Sequence, residues 1–332
     1  MPALIPLLVA VLGLVATVAG CGGETPESEY DDRPFADLAL DELVDWEARP
    51  KEPAKLAEVL AEVRRRIRDV DETTLYATVL PALEPVLAHE EEAVRKEAVR
   101  AAAQVARRSE SEPAVALVAG AVTDEATPVR LAAVRELGAL LQRRIASTET
   151  VLAGLAHATA DRSEAVREQA LKMLAAAGTF ARGAAGAVVN ALQAEDERGL
   201  HEQLKAWETL RALKPTDEEI REFVEAAAGT AEEPRIARAA TDVLAGLTEL
   251  DGDQFDVALD ALEALLAPLR HGSAEVRLRA IEALEAAGAP AREIAAEPLE
   301  DVAANDPQRE VRRRAAQARN ALGLDDDAEN AE

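Results

Sequence analysis

A short phrase of apolar and charged residues recurs along most of this chain. The phrase is Val-Arg-x-x-Ala followed by an apolar residue, and its clear copies start at Val94, Val129, Val166, Val276 and Val311. Weaker copies start at Leu200 and Ile236, so that seven copies follow one another at intervals of 34 to 40 residues. A period of this length is typical of repeat architectures in which each repeat is one supersecondary unit.

Each copy of the phrase has helical periodicity. In the third copy the apolar residues are Val166, Ala170, Leu171 and Leu174, and this spacing lies on one face of a helix. Twelve residues after the first position, three copies hold a glycine, which is expected to end the helix in the left-handed conformation: Gly178, Gly288 and Gly323. A second amphipathic segment lies between successive phrases. Each repeat is therefore predicted to be two antiparallel helices of about 12 to 18 residues.

A second fixed position lies five residues before the first residue of the phrase. It holds Asp124, Asp161 and Asp306 in three of the repeats. Asp306 followed by proline is predicted to be a helix N-cap with proline at the first helical position. Asp161 and Glu164 are predicted to form a capping box. The turn between the two helices of a repeat is therefore expected to be polar and hydrogen-bonded.

The period, the turn aspartates and the phrase together resemble HEAT repeats, especially the bacterial kind first named from phycobilisome lyases. The resemblance covers residues 54–324 and implies an all-α, right-handed α-solenoid of about seven stacked antiparallel helix pairs. It also implies that the arginine of each phrase belongs to a structural ladder along the turns. The arginines at that position are Arg95, Arg130, Arg167, Arg277 and Arg312. His201 and Ala237 replace the arginine in the fourth and fifth repeats.

The N-terminal residues have the features of a targeting segment. Residues 3–20 carry no charge and are almost entirely apolar, which suits the core of a signal peptide better than a membrane-spanning helix. Small residues lead directly into Cys21, and this arrangement resembles the bacterial lipobox, in which the cysteine is lipidated and becomes the mature N-terminus. The positively charged start of a signal peptide is missing. The alternative is an uncleaved membrane anchor with an incidental cysteine.

The predicted domains follow from these segments. Residues 1–20 are the lipoprotein signal peptide, and residues 21–53 are the lipid-anchor cysteine and an acidic linker. Helical spacing of Phe35, Leu38, Leu43 and Trp46 predicts a short docking helix within that linker. Residues 54–324 are the solenoid, and residues 325–332 are an acidic disordered tail. The resemblance implies a location in the bacterial cell envelope, at the outer membrane facing the periplasm if the host has two membranes, because Gly22 follows the cysteine.

Composition and charge narrow the classes of function. The 332 residues include 37 Lys and Arg against 63 Asp and Glu, a net charge of −26 that disfavours nucleic-acid binding and favours a monomer. A single cysteine excludes an intrachain disulfide and a thiolate zinc site. The hydrophobic fraction is 48% but the aromatic fraction is 2%, which suits closely packed helices better than a pocket for a small ligand.

Candidate chemistry is sparse. Two His-Glu pairs, at His89 and His201, are compared with deoxyhypusine hydroxylase, a di-iron enzyme of HEAT repeats. Their positions within the repeat disagree, whereas metal ligands must converge. His89 and His271 occupy the turn position that aspartates hold elsewhere, so a capping role is predicted for both. No metal, cofactor or catalytic residue is predicted.

The predicted function is that of a non-enzymatic scaffold for protein–protein interaction, anchored through Cys21. Arg100, Arg135 and Lys172 share one position on the exposed side of the second helices, which line the concave surface in HEAT solenoids. We interpret them as a basic stripe that recruits an acidic segment of a partner protein; an ordinary solvated face is the other interpretation. The alternative functions are an enzyme or enzyme accessory of the phycobilin-lyase kind, with a small ligand in the groove, and a passive envelope spacer.

Overall fold

The computed structural model describes residues 34–46, 52–144, 148–194 and 199–325. Regular structure in these ranges is helical throughout. None of the helices in the described ranges is long and apolar enough to cross a membrane. The predicted signal peptide, Cys21 and residues 326–332 of the predicted tail lie outside the described residues.

The α-helices follow the predicted alternation. Their bounds are α1 Leu40–Leu43, α2 Pro53–Arg66, α3 Glu72–Thr74, α4 Leu80–Leu87, α5 Glu92–Ser109, α6 Glu112–Gly120, α7 Thr127–Gln142, α8 Thr148–Ala158, α9 Glu164–Ala177, α10 Ala185–Gln193, α11 Leu200–Leu213, α12 Glu218–Thr230, α13 Pro234–Leu247, α14 Phe255–Ala264, α15 Ala274–Ala287, α16 Arg292–Asn305 and α17 Arg309–Ala321. A π-helical segment, Leu75–Val79, joins α3 to α4.

Seven helix pairs stack into two layers. The helices that carry the repeated phrase (α5, α7, α9, α11, α13, α15 and α17) are called the second helices, and those that precede them from α4 to α16 are the first helices. Each second helix packs on the next, whereas neighbouring first helices touch much less. Two joined layers curve toward the more closely packed one, so the second helices lie on the inner side. The predicted all-α solenoid of seven pairs is confirmed.

Small side chains allow the close approach of the second helices. The alanine of the phrase is fully buried in the six copies that have one: Ala98, Ala133, Ala170, Ala240, Ala280 and Ala315. Leucine, valine and isoleucine from both layers fill the space between the helices in one continuous core. No single pair could bury these faces alone, because each pair inside the stack is covered by its neighbours on both sides.

The start of the second helices differs from the predicted capping. Where the phrase is clear, the helix begins two residues before the valine, as in Glu164–Ala177 before Val166. Asp161 is therefore not part of a capping box: its Oδ1 accepts a hydrogen bond from the backbone N–H of Ser163 at 2.7 Å. Asp306 is likewise not the N-cap, since Gln308 holds that position and its N–H donates to Asp306 Oδ1 at 2.8 Å. These aspartates stabilise the turn rather than the first turn of the helix.

The three predicted glycines end their helices with a positive φ, but Gly178 and Gly288 do not have the expected left-handed helical conformation. Gly178 has φ 58° and ψ −140°, and Gly288 has φ 66° and ψ −132°. This region is sterically open essentially to glycine alone. Gly323 also has a positive φ, of 70°.

A short N-terminal segment covers the first end of the solenoid. Leu38 and Leu43 are buried against α2, which itself packs on α5 ahead of the first complete pair. Trp46 donates from Nε1 to the carbonyl of Ala82 in α4. Arg66 of α2 donates to the carbonyls of Phe35 and Leu38. Segment 34–46 therefore covers apolar surface that the first repeat would otherwise expose to water.

Candidate functional site

The arginines of the phrase lie in the turns and connect successive pairs. Arg130 makes a bidentate ion pair with Asp161 of the next turn, with Nε to Oδ2 at 2.7 Å and Nη2 to Oδ1 at 3.0 Å. Its Nη1 donates to the carbonyl of Asp124 in its own turn at 2.9 Å. Arg95 bonds to Asp124 in the same way, and Arg277 bonds so to Asp306.

Each turn aspartate consequently serves two pairs of helices. Asp124 accepts from Arg95 through its carboxylate and from Arg130 through its carbonyl. Burial alone would raise the pKa of Asp161, but the hydrogen bonds from Arg130 and the Ser163 backbone hold its pKa below the ordinary value. The hydrogen bond to Asp124 raises the pKa of Arg95. Arg312, in the last pair, donates from Nη1 to the carbonyl of Asp306.

The fourth pair departs from the pattern in a way that the sequence did not indicate. Arg167 bonds to both carboxylate oxygens of Glu202, at 2.5 and 2.8 Å, where three of the other arginines bond to the carboxylate of the next turn's aspartate; its Nη1 still donates to the carbonyl of Asp161. Glu202 is almost fully buried, whereas the side chain of His201 beside it is exposed. The nearest signal in the sequence is the His201-Glu202 pair, which resembles a metal motif and does not by itself indicate an acceptor for an arginine.

A histidine replaces the missing arginine of the fifth pair. Ala237 stands at the arginine position, and the turn carbonyl of Ala231 is instead paired with His271 Nε2 of the next turn at 2.9 Å. His271 Nδ1 accepts from the backbone N–H of Ser273. His89 Nδ1 accepts from Glu91 in the same way. Both histidines thus occupy the aspartate position and make its turn hydrogen bond.

The remaining histidines do not converge on a common point. His201 Nε2 lies 3.8 Å from Glu168 on the surface. His157 lies on the first helix α8. Among the described residues there is no group of three or more His, Cys, Asp or Glu side chains that could hold a metal ion.

The three residues of the predicted basic stripe differ in availability. Arg100 is half-buried and donates to Glu97 on its own helix, so its charge is already compensated. Arg135 and Lys172 are exposed, and neither makes an ion pair or side-chain hydrogen bond to a described residue. The structure thus distinguishes two unpaired cations from a third that is paired.

Arg135 and Lys172 line one groove on the exposed side of α7, α9 and α11. This feature, the second-helix groove, has a volume of about 460 Å³. Leu131, Leu171 and Ala175 contribute apolar surface, and Lys205 lies at the α11 end. Lys205 Nζ is 2.7 Å from Glu168, and this hydrogen bond holds the pKa of Glu168 below its ordinary value. The described residues that line the groove include no aromatic side chain.

A larger cavity lies in the first-helix layer. It measures about 690 Å³ between α10 and α12, and Ile220, Phe223 and Arg182 are among its lining residues. Phe223 stacks on the buried Trp207 with ring centroids 5.5 Å apart. Phe255, at the start of α14, is 47% exposed.

Comparison with known proteins identifies the fold. No family model matches the chain, and no curated protein matches it. A crystal structure of importin beta aligns over 85% of this chain and 40% of its own, with 13% identity and a TM-score of 0.53. Kap95p, in a structure that describes its binding to RanGDP, aligns over 85% of this chain and 40% of its own, with 15% identity and a TM-score of 0.51.

A HEAT-like repeats protein from Thermococcus onnurineus NA1 also aligns, over 76% of this chain and 97% of its own, with 16% identity and a TM-score of 0.43. At these identities the similarity to importin beta and Kap95p shows the fold alone. The chain therefore has the all-α solenoid fold that importin beta and Kap95p share.

Proposed function

We propose that this protein is a non-enzymatic scaffold for protein–protein interaction, held in the bacterial cell envelope by a lipid on Cys21. The observation that carries the proposal is the second-helix groove with its two unpaired cations, Arg135 and Lys172. A solenoid suits this role because its binding residues lie on exposed helix faces and can vary without disturbing the core. Kap95p, which shares the fold, binds another protein, RanGDP.

The proposed anchor rests on the N-terminal sequence. The uncharged residues 3–20 and the position of Cys21 favour export and lipidation over an uncleaved anchor. A lipid anchor would raise the effective concentration of the scaffold near membrane partners. The acidic residues that follow would hold the solenoid away from the lipid, at the outer membrane and facing the periplasm if the host has two membranes.

The groove favours a protein over a small molecule as the ligand. Its floor is aliphatic and its rim is charged, whereas sites for small ligands are usually lined by aromatic and other apolar groups that enclose the ligand. A passive spacer would need no unpaired cations on a chain of net charge −26. We propose a monomer with one protein partner, without a cofactor and without nucleic acid.

Affinity purification from detergent-solubilised membranes tests the proposal. The wild-type chain should recover one partner protein in near-stoichiometric amount, and Cys21→Ser should lose both the membrane location and that partner. Arg135→Glu with Lys172→Glu should keep the membrane location and lose the partner. Arg309→Glu with Arg313→Glu is its charge-matched control, because both arginines are exposed on α17, away from the groove. Recovery of the wild-type chain alone would contradict the scaffold, and recovery with a small molecule would favour the enzyme accessory.

A further inference from the structure

The second-helix groove has features that specify the chemistry of its ligand. We propose that it binds a short acidic segment of a partner protein, in which two carboxylates flank an apolar side chain. This inference rests on the proposed function and adds the chemical class of the partner. It is carried by charge, by the apolar floor and by the spacing of the helices.

The two exposed cations that line the groove, Arg135 and Lys172, favour an acidic ligand. The chain has an excess of acids, and several other cations of the second helices pair within the protein, as Lys205 does with Glu168 and Arg279 with Asp242. Arg135 and Lys172 remain exposed without such a partner among the described residues. Two cations left available beside one groove are complementary to carboxylates supplied from outside.

The apolar floor of the groove favours an apolar residue in the ligand. Leu131 is half-exposed at the α7 side, and Leu171 and Ala175 lie below Lys172 on α9. A purely electrostatic contact between exposed charges contributes little to affinity. An apolar side chain placed on this floor would add the burial that an isolated ion pair lacks. We therefore expect an apolar residue between the two acids.

The spacing of the helices determines how far apart the two acids of the ligand should lie. Arg135 and Lys172 occupy equivalent positions on α7 and α9, which pack directly on each other. Packed helices lie about 8–10 Å apart. An extended segment advances about 3 Å per residue, so acids three positions apart span this distance and leave a residue between them that can face the floor. Glu208 at the α11 end makes no ion pair with a described residue, so the ligand is expected to carry no acid there.

The experiment is a display selection from a random ten-residue peptide library against the full chain in detergent. We expect the selected peptides to carry two acids about three positions apart with an apolar residue between them. Their affinity should fall at least tenfold for Arg135→Glu with Lys172→Glu and also for Leu131→Ser. The control pair, Arg309→Glu with Arg313→Glu, should leave it unchanged. Circular dichroism establishes that each variant is folded.

Three results would overturn the inference: selected peptides that are neutral or basic, peptides that bind equally to the Arg135→Glu with Lys172→Glu variant, or no selected peptide at all. The failure of the proposed function is distinguishable. If the wild-type chain recovers a partner protein from membranes and the charge-reversed variant recovers it equally, the scaffold stands and the groove is not its site. If no partner protein is recovered, the scaffold fails.

Discussion

At the scale of single residues, arginine has two different roles in this protein. Arg130 connects two turns, whereas Arg135 is exposed in the second-helix groove. Arg130 is 3% exposed, and its guanidinium donates hydrogen bonds to the Asp161 carboxylate and the Asp124 carbonyl, so its charge is compensated within the fold. Arg135 lies five residues later on the same helix, exposed and unpaired among the described residues. The sequence separates the two by their place in the repeated phrase, but only the structure shows which cations are already compensated, as with Arg100 and Glu97.

The structural arginines should differ in their contribution to stability according to their acceptors. Arg130→Met leaves Asp161 buried without its ion-pair partner, so we expect a loss of about 3–5 kcal/mol in the free energy of unfolding. Arg312→Met removes a bond to a backbone carbonyl and should cost about 1 kcal/mol. Urea denaturation of both variants measures the difference. Equal losses would show that the bidentate pair adds nothing beyond the turn hydrogen bond.

Stability should depend on pH through Glu62, which accepts hydrogen bonds from Arg65 and Arg66. These bonds, with Arg65 the larger cause, lower the pKa of Glu62 from 4.5 to about 2. A carboxylate whose pKa is lower in the folded state stabilises the fold above its unfolded pKa and loses that contribution as the pH falls. The stability difference between wild type and Glu62→Gln should be complete at pH 7, shrink below about pH 4.5 and vanish near pH 2.

Chemical denaturation across this pH range measures the difference. Glu58→Gln, one turn earlier on α2, is the matched control, because the Glu58 side chain makes no hydrogen bond or ion pair with a described residue. At pH 7 its stability difference from wild type should be smaller than that of Glu62→Gln. A Glu62→Gln difference that stays constant as the pH falls would contradict the assigned hydrogen bonds.

At the scale of elements, the second helices were predictable because hydrophobic periodicity, the buried alanine and the closing glycine all mark them. Their first residues were not, since a turn aspartate and an N-cap look alike in sequence, and the hydrogen bond to the residue two positions later decides between them. The burial of Glu202 was not predictable either. It depends on the reach of Arg167 across to α11, and no local pattern encodes that contact.

Two glycines on neighbouring elements should respond in opposite directions to alanine. Gly178 has a positive φ with an extended ψ, so Gly178→Ala is expected to cost about 1–3 kcal/mol. Gly186 lies within α10 with open space around an added Cβ, so Gly186→Ala should stabilise the protein by about 0.4–1 kcal/mol. Thermal unfolding measures the Tm of both variants relative to wild type. A change of Tm in the same direction for both would contradict these backbone assignments.

At the scale of the whole molecule, the seven pairs share one interaction scheme with local substitutions. The resemblance to HEAT repeats, read from residues 54–324, was enough to predict the solenoid and the positions of its arginines. The predicted basic stripe needed correction at Arg100, because the exposed side of a helix contains both paired and unpaired cations. Repeated features are predictable because each copy repeats the evidence, whereas a groove depends on the neighbouring side chains of three helices.

The fifth pair has Ala237 in place of the turn arginine, and this allows a test of whether the turn interactions of one repeat can be transferred to another. Ala237→Arg alone would bury a cation opposite His271, and His271→Asp alone would bury an acid without an arginine, so each should destabilise the protein. Together they recreate the Arg277–Asp306 arrangement, in which the arginine bonds to its own turn carbonyl and to the next turn's carboxylate. We therefore expect the double variant to recover at least about 1.5 kcal/mol relative to the sum of the two single changes.

A double-mutant cycle in urea measures this coupling energy. The matched control combines Ala237→Arg with His89→Asp, which changes the equivalent turn position four pairs away and should show no coupling. Strong coupling for the adjacent pair would mean that the turn interactions act between neighbouring repeats and can be rebuilt from the repeated phrase alone. Additivity of the adjacent changes would mean instead that the fifth pair has adapted its packing to His271, so that the histidine is a specific solution and not a replaceable member of the series.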